Sequence, residues 1–362
     1  MRDVGDLAAL CLPFTAGTAA AAALAGAAGG GAAGAASGAA LAAAAGLLAF
    51  VSKRRTGLLP YCILFFILGI FCFLSAGLRP EYAEPGPVGR LAAGALSGLK
   101  RLIDSIPFPS TESRPLITAL LTGDRSGLTA AQTASFRASG ASHILALSGL
   151  HLGVIYLIIS RLLSIIGNSI PARRVRSVLT ILLAGCYALA TGAGPSIVRA
   201  FLFILIRETC ALFPERRISP IRTLLMALTI QLAVQPQVIT SLGFQLSYLA
   251  MTGIVILYPR LEAWYPADGP RFQPLRRVWQ AAALAVSCQV FTAPLTWIRF
   301  HSFPKYFILT NLLALPLTSA LMATSVAAIA LQGLGGCPSF LASAADFLAR
   351  ALLFILDVIS GL

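Results

Sequence analysis

The chain has 362 residues, of which 57% are hydrophobic and 11% charged, against roughly one-quarter charged in an average soluble domain. That balance excludes an ordinary water-soluble globule and points to a bilayer as the solvent, where continuous apolar runs of about 18 or more residues select helices over the alternating strands of a barrel. The 27 Lys and Arg against 13 Asp and Glu give a net charge of +14, which suits an anionic partner such as nucleic acid or lipid, although basic loops that fix topology are the simpler source of such an excess.

From about Leu7 to Phe50 the sequence is rich in Ala and Gly, and Gly26, Gly30, Gly34 and Gly38 repeat at the spacing that lets membrane helices touch backbones. Two short helices with a turn near Gly29 to Gly31 fit this segment, with one long tilted helix as the alternative. Its length, and the span that follows it closely, argue for a part of the mature protein and against a cleaved signal peptide. Lys53, Arg54 and Arg55 make a basic stop, and Leu58 to Leu78 is an aromatic-rich span. Residues 1 to 78 are thus expected to be an N-terminal transmembrane part.

Residues 79 to 142 are polar and rich in Pro and Gly, with the strings EYAEPGPVG and IPFPSTESRP. They are expected to form an extracytoplasmic loop whose second half, Leu116 to Phe136, makes amphipathic interfacial helices broken at Thr122 to Gly127. Residues 143 to 362 carry apolar spans at 143 to 166, 177 to 192, 196 to 213, 219 to 236, 238 to 258, 278 to 298, 306 to 332 and 340 to 361. The expected fold is an all-α, polytopic integral membrane bundle of about eleven transmembrane helices with interfacial helices on the outer face. Basic clusters at Lys53 to Arg55, at Arg173, Arg174 and Arg176, at Arg216, Arg217 and Arg222, and at Arg260, Arg271, Arg276 and Arg277 then all fall on one side, which is cytoplasmic. The N-terminus is inside on this count, and the 79 to 140 excursion and the C-terminus are outside.

The seven cysteines, Cys11, Cys62, Cys72, Cys186, Cys210, Cys288 and Cys337, form no C-x-x-C pair and read as small hydrophobes, so no metal or other cofactor is expected. Ionisable and polar groups at membrane depth are more telling. On a helical wheel of about 100° per residue, His143, Leu147 and His151 span about 80° of arc and Ser148 lies about 60° beyond, while Gly149 and Gly153 form an opposite packing face. A His, Ser, His face suits a wet pore lining; a histidine bonded to a neighbouring carbonyl is the structural alternative. Arg199, just after Gly194 and Pro195, places a fixed cation where a broken helix tolerates polar company, either to hold a phosphate or to snorkel. Arg207 and Glu208 read as structural. Gln245, Ser247 and Tyr248, and Asn311 beside His301, bring hydrogen-bonding groups into apolar helices, either toward a substrate or between helices. Asp346 and Arg350 are spaced to pair within their helix, and Asp357 adds little.

The string FRASGASHILALSGLHLGV at Phe136 to Val154, preceded by ALLTGDRSGL at Ala119 to Leu128, resembles the signature of the ComEC family of competence proteins. Three more strings resemble that family's elements in order: TGAGPSIVRA at Thr191 to Ala200, SLGFQLSYLA at Ser241 to Ala250, and FHSFPKYFILTNLLALPL at Phe300 to Leu317. The resemblance covers about residues 110 to 330. It implies a bacterial inner-membrane, multi-pass channel that takes up single-stranded transforming DNA, with His143, Ser148, His151, Arg199, Gln245, His301 and Asn311 as the candidate path, Gly149 and Gly153 as packing residues, and Tyr248 as a stacking surface. The partners it implies are single-stranded DNA, membrane lipids and separate chains acting as DNA receptor, nuclease and cytoplasmic motor; a homo-oligomer is compatible with it.

Two departures from the family pattern bear on this expectation. The stretch between Leu78 and Ser139 is too short for the family's oligonucleotide-binding-fold domain, and three histidines in all do not supply its metallo-β-lactamase-like domain. No enzyme is expected. Ser148 and His151, at i and i+3, are poorly placed as nucleophile and base, metal-ligand clusters are missing from the sequence, and it has no phosphate-binding G-x-x-x-x-G-K-[ST] loop. A secondary transporter of a small anion and a non-conducting membrane scaffold are the alternatives.

Overall fold

The computed structural model describes residues 2–27, 59–77, 87–167, 169–213, 218–265, 274–301 and 304–361, and every regular element among them is helical. In chain order the first helices are α1 (Arg2–Ala27), α2 (Leu59–Gly77), α3 (Pro87–Ser105), α4 (Ser113–Thr122), α5 (Ala130–Ala138) and α6 (Ser142–Leu145). Then come α7 (Gly149–Leu163), α8 (Ile170–Ala190), α9 (Pro195–Ala211), α10 (Pro220–Val234) and α11 (Leu242–Ile256). The last are α12 (Tyr258–Glu262), α13 (Pro274–Phe300), α14 (Phe307–Gly333) and α15 (Ser339–Ser360). The turn expected at Gly29 to Gly31, Gly30, Gly34 and Gly38, the Lys53 to Arg55 stop, and Arg216, Arg217 and Arg271 lie outside the described residues.

Among the described residues, six segments are long and apolar enough to cross a bilayer: Leu7–Ala25, Gly149–Ile166, Leu242–Glu262, Pro274–Phe300, Phe307–Gly333 and Ser339–Ser360. Tyr61–Ala76 and Pro220–Val234 are shorter apolar helices. Their exteriors are apolar, with Phe71, Leu157, Leu162, Phe347 and Phe354 exposed, while Thr310, Thr318, Ser325 and Asp346 are buried. This reversal of the usual distribution fits a chain whose surroundings are lipid.

The chain divides into two compact units, Met1–Glu84 with Thr209–Tyr248, and Pro85–Glu208 with Leu249–Leu362. In the first, α1 packs on α2 and α10. The backbones of α1 and α2 touch: a Cβ on Gly17 would lie 2.0 Å from the Phe66 carbonyl oxygen, and one on Gly69 2.2 Å from that of Phe14. Small residues admit this approach, which is how helices gain dispersion contact where lipid leaves no hydrophobic force between them.

In the second unit, Leu116, Ile117 and Leu120 of α4, Phe136 of α5 and Ile144 and Leu145 of α6 are buried with Ala314, Leu321 and Met322 of α14 and Ala345, Ala349, Leu352 and Leu356 of α15. The two short helices expected after Leu116 form, with the break where the Thr122 to Gly127 string placed it. Their apolar residues face protein, however, and not only a bilayer surface. The helix α3 is new relative to the sequence reading: Ala92, Leu96, Leu99 and Ile103 recur at helical spacing on its less exposed side. The segment between α3 and α4 is pinned by buried Asp346, whose Oδ1 accepts from the Ser110 N–H at 3.0 Å, the Ser113 hydroxyl at 2.7 Å and the Ser110 hydroxyl. Arg350 pairs with the other oxygen, Nε to Oδ2 at 3.0 Å, as the i, i+4 spacing suggests.

Candidate functional site at the start of α7

The span expected at 143 to 166 is not one helix. Ala146 is extended (ψ 128°), and Ser148 (φ −118°, ψ 170°) begins α7 as its N-cap. The Ser148 hydroxyl accepts from the Leu150 N–H at 3.2 Å, and Nδ1 of His151 accepts from the Ser148 N–H at 3.1 Å. This is a capping box closed by a histidine in place of the usual Glu or Gln. The single face drawn for His143, Ser148 and His151 therefore does not exist, because a serine that bonds local backbone groups competes with helix continuation and starts a new helix instead.

The string ALLTGDRSGL builds the walls of this break. Arg125 Nε donates to the Leu145 carbonyl at 3.1 Å, satisfying the end of α6. Gly123, with φ at 80°, leaves room for Leu147, whose Cδ1 would lie 2.5 Å from a Cβ there. Tyr187 of α8 donates its hydroxyl to the Leu121 carbonyl at 2.8 Å. Asp124 meets Lys100 Nζ at 2.5 Å and the Ser126 N–H at 3.0 Å, and these partners hold its carboxyl well below the usual carboxylate range.

Arg199 of α9 is buried, 8% exposed, and its guanidinium lies against the first turn of α7: a Cβ on Gly149 would come 2.6 Å from Arg199 Nη2 and 3.4 Å from Ala200 Cβ. Gly149 thus allows α7 and α9 to approach. A Cβ on Gly153 meets no described atom within 4 Å, so the packing role expected of it is not seen. Around them Leu152, Ala184, Ala188, Ile197 and Ile204 form an apolar cluster of α7, α8 and α9.

His151 is fully buried. Because the Ser148 N–H can only donate, Nδ1 of His151 is the acceptor and the neutral ring carries its proton on Nε2. That nitrogen is buried and has no hydrogen-bond partner among the described residues. His143 is exposed, with Nδ1 at 3.1 Å from the Gly140 carbonyl, and lies within electrostatic reach of His151. Asn311 of α14 lies beside His143, although its buried Oδ1 completes no well-formed hydrogen bond. The start of α14 is held there by the Thr310 hydroxyl, which donates to the Ser139 carbonyl at 2.8 Å, and by Pro304 closing on Gly140.

His143, Ser148, His151, Arg199 and Asn311 are thus brought to one region of the second unit, together with Gly149. Two candidates are not. His301 is exposed at the end of α13 with φ at 49°, and no hydrogen bond among the described residues ties it to the others. Gln245 belongs to the first unit, where its Nε2 donates to the Ile239 carbonyl at 2.8 Å. Tyr248 is buried there too, bonded through its hydroxyl to Gln231 Oε1 at 2.9 Å and packed on Phe244 at 4.6 Å between centroids, so it offers no open stacking surface. Glu208 is structural as expected: it accepts from Tyr156 and Ser177 hydroxyls, each at 2.7 Å, and joins α7, α8 and α9. The clamping roles of Arg125, Tyr187 and Thr310 escaped the sequence reading. Only the places of Arg125 and Thr310 within recognised strings hinted at them.

Residues 120–362 match the family described as competence protein. This chain belongs to the competence protein family. Over 225 residues it is 24% identical to ComE operon protein 3 of Bacillus subtilis (strain 168), covering 62% of this chain and 27% of that relative. The match therefore spans about a quarter of the relative's length. No solved structure matches the chain. The region around the start of α7 lies within the family match in this competence protein, as do the Arg199 turn and the start of α14.

Proposed function

We propose that this competence-family membrane protein forms a passage for single-stranded DNA across a bacterial inner membrane. One observation carries the reading: a buried guanidinium, Arg199, lies against the N-terminal turn of α7 beside buried His151, in a helical unit whose exterior is apolar. A strand moving through a low-dielectric slab brings a negative charge with each nucleotide. It needs spaced cations and polar groups that hold it loosely along a wet path. Family membership supports the same reading. On it, the helix set amounts to about eleven crossings with the basic loops cytoplasmic, and receptor, nuclease and motor are separate chains.

The test is import of fluorescent single-stranded DNA into cells carrying a clean deletion complemented by this gene, normalised to membrane-inserted protein. Deletion should abolish import. Arg199→Leu should abolish it with insertion near normal, and Arg199→Lys should retain part, since a point charge still attracts phosphate while the planar fork is lost. Undiminished import in the deletion strain would end the reading; undiminished import by Arg199→Leu would remove Arg199 from the path.

A further inference from the structure

We propose that the start of α7 is a built phosphodiester-binding site, in which His151 Nε2–H and the Arg199 guanidinium donate to the non-bridging oxygens of one backbone phosphate. The proposal rests on the DNA-passage reading and specifies what holds the strand.

The geometry points to an oxyanion for three independent reasons. The His151 ring is fixed by its own helix cap: Ser148 occupies Nδ1 through its N–H at 3.1 Å and its hydroxyl at 2.8 Å. The remaining ring nitrogen is therefore a hydrogen-bond donor, fully buried and without an acceptor among the described residues. Such a donor is costly to bury, and it is satisfied by an oxygen arriving from outside the bundle. Second, Arg199 brings a permanent cation against the same turn, its Nη2 only 2.6 Å from where a Gly149 side chain would start. Any other residue at Gly149 would push that guanidinium aside. Third, α7 has 15 residues, and the positive end of its dipole lies at this turn. A neutral imidazole donor, a guanidinium and a helix N-terminus together favour a delocalised monoanion such as a phosphodiester. The one fixed charge in the set makes for a hold loose enough to release the strand for its next step.

The capping box supplies a substitution that separates binding from folding. Glu and Gln are the residues that ordinarily close this cap at the third helical position. His151→Gln keeps the cap and still offers an N–H, whereas His151→Glu keeps the cap and replaces the donor with a carboxylate that repels phosphate. The measurement is binding of a fluorescent oligothymidylate to the purified full chain in zwitterionic nanodiscs, by anisotropy, with a melting curve for each variant.

The wild type should bind the oligothymidylate, and a methylphosphonate analogue of equal length, lacking the backbone charge, should bind far more weakly. His151→Glu and Arg199→Leu should each weaken binding by roughly tenfold to a hundredfold, the scale of a charge-assisted hydrogen bond. His151→Gln should stay within about threefold of wild type, on the premise that its N–H replaces the ring donor. Equal binding by His151→Glu with an unchanged melting curve overturns the proposal, and so does equal binding of the methylphosphonate. If anionic lipid in the nanodisc stabilises the wild type but not His151→Glu, while oligothymidylate has no effect, the site is a headgroup site and the proposal fails. Import that depends on the chain while binding ignores His151→Glu leaves the passage reading standing without this site. Binding that follows the expected order with no import defect in the deletion strain leaves the site standing without the passage.

Discussion

At Gly17 and Gly69 an added methyl group would press into the backbone of the facing helix, whereas at Gly149 it would meet the far end of the Arg199 side chain. The consequences should differ in kind. Gly17→Ala or Gly69→Ala must part α1 from α2 and should destabilise by about 1–3 kcal/mol, as overpacking does; a detergent melting curve checks this. Gly149→Ala should melt near wild type and lose DNA import, because a flexible side chain gives way more cheaply than a helix. Import at wild-type level by Gly149→Ala would detach the Arg199 position from function. Asp124 makes a pH-dependent contribution at the same scale. Its folded carboxyl is held low by Lys100 and Ser126, so its stabilisation is present above the unfolded value of about 3.9 and is lost as pH falls from there toward the depressed folded value. With both partners about one-third exposed, Asp124→Asn should cost about 0.2–1 kcal/mol near neutral pH. The melting difference should close as the solution is made strongly acidic, and a gap that persists there would mean the charge is not its source.

The elements are joined by a few buried polar pins, and the clearest holds the segment between α3 and α4 to α15. Asp346→Ala would leave the Ser110 N–H and the Ser110 and Ser113 hydroxyls without their shared acceptor. Removing such an acceptor costs about 1–3 kcal/mol. Amide exchange should rise across residues 106 to 113 while α8 and α9, which Asp346 does not touch, keep their protection. Uniform loss of protection would instead show Asp346 supporting the whole unit. Glu208 is a second pin of the same kind, drawing α7 and α8 to α9 through two hydroxyls. From the sequence, Asp346 reads as the i, i+4 partner of Arg350 and Glu208 simply as structural. The structure gives Asp346 that partner and three donors besides, and gives Glu208 hydroxyls from two other helices.

For the molecule as a whole, the question is which segments cross. Gly149–Ile166 separates the α3 to α6 region from the arginines that open α8. Tyr187, near the other end of α8, bonds back to Leu121 of α4, as expected if α8 returns across the bilayer from its basic end. In a cysteine-free background, Asp104→Cys and Arg174→Cys, both at exposed positions, should therefore label from opposite sides, with Arg174 on the cytoplasmic side. Labelling of both from one side would mean that α7 does not cross and would undo the topology.

The sequence by itself determined that the chain is helical, which surroundings it prefers and where its long helices lie. The expected spans at 58 to 78, 278 to 298, 306 to 332 and 340 to 361 agree within a few residues with α2, α13, α14 and α15. Each is a long, largely apolar run whose length outweighs its interruptions, among them Pro294 in α13 and Pro316 in α14. The family strings were legible because they are read as residue order along the chain, whatever their residues meet in space. The break before Gly149 was not, because Ser148 and His151 form no Glu- or Gln-type capping signature, and because the broken ends are completed by Arg125 and by Leu147 packed over Gly123. Nor did any spacing foretell that Arg199 would lie on Gly149, or that Gln245 would belong to the other unit. Those outcomes were decided by tertiary structure, since a periodic pattern fixes which side of a helix is apolar, while the partner a polar group meets depends on the rotation and depth at which separate helices pack.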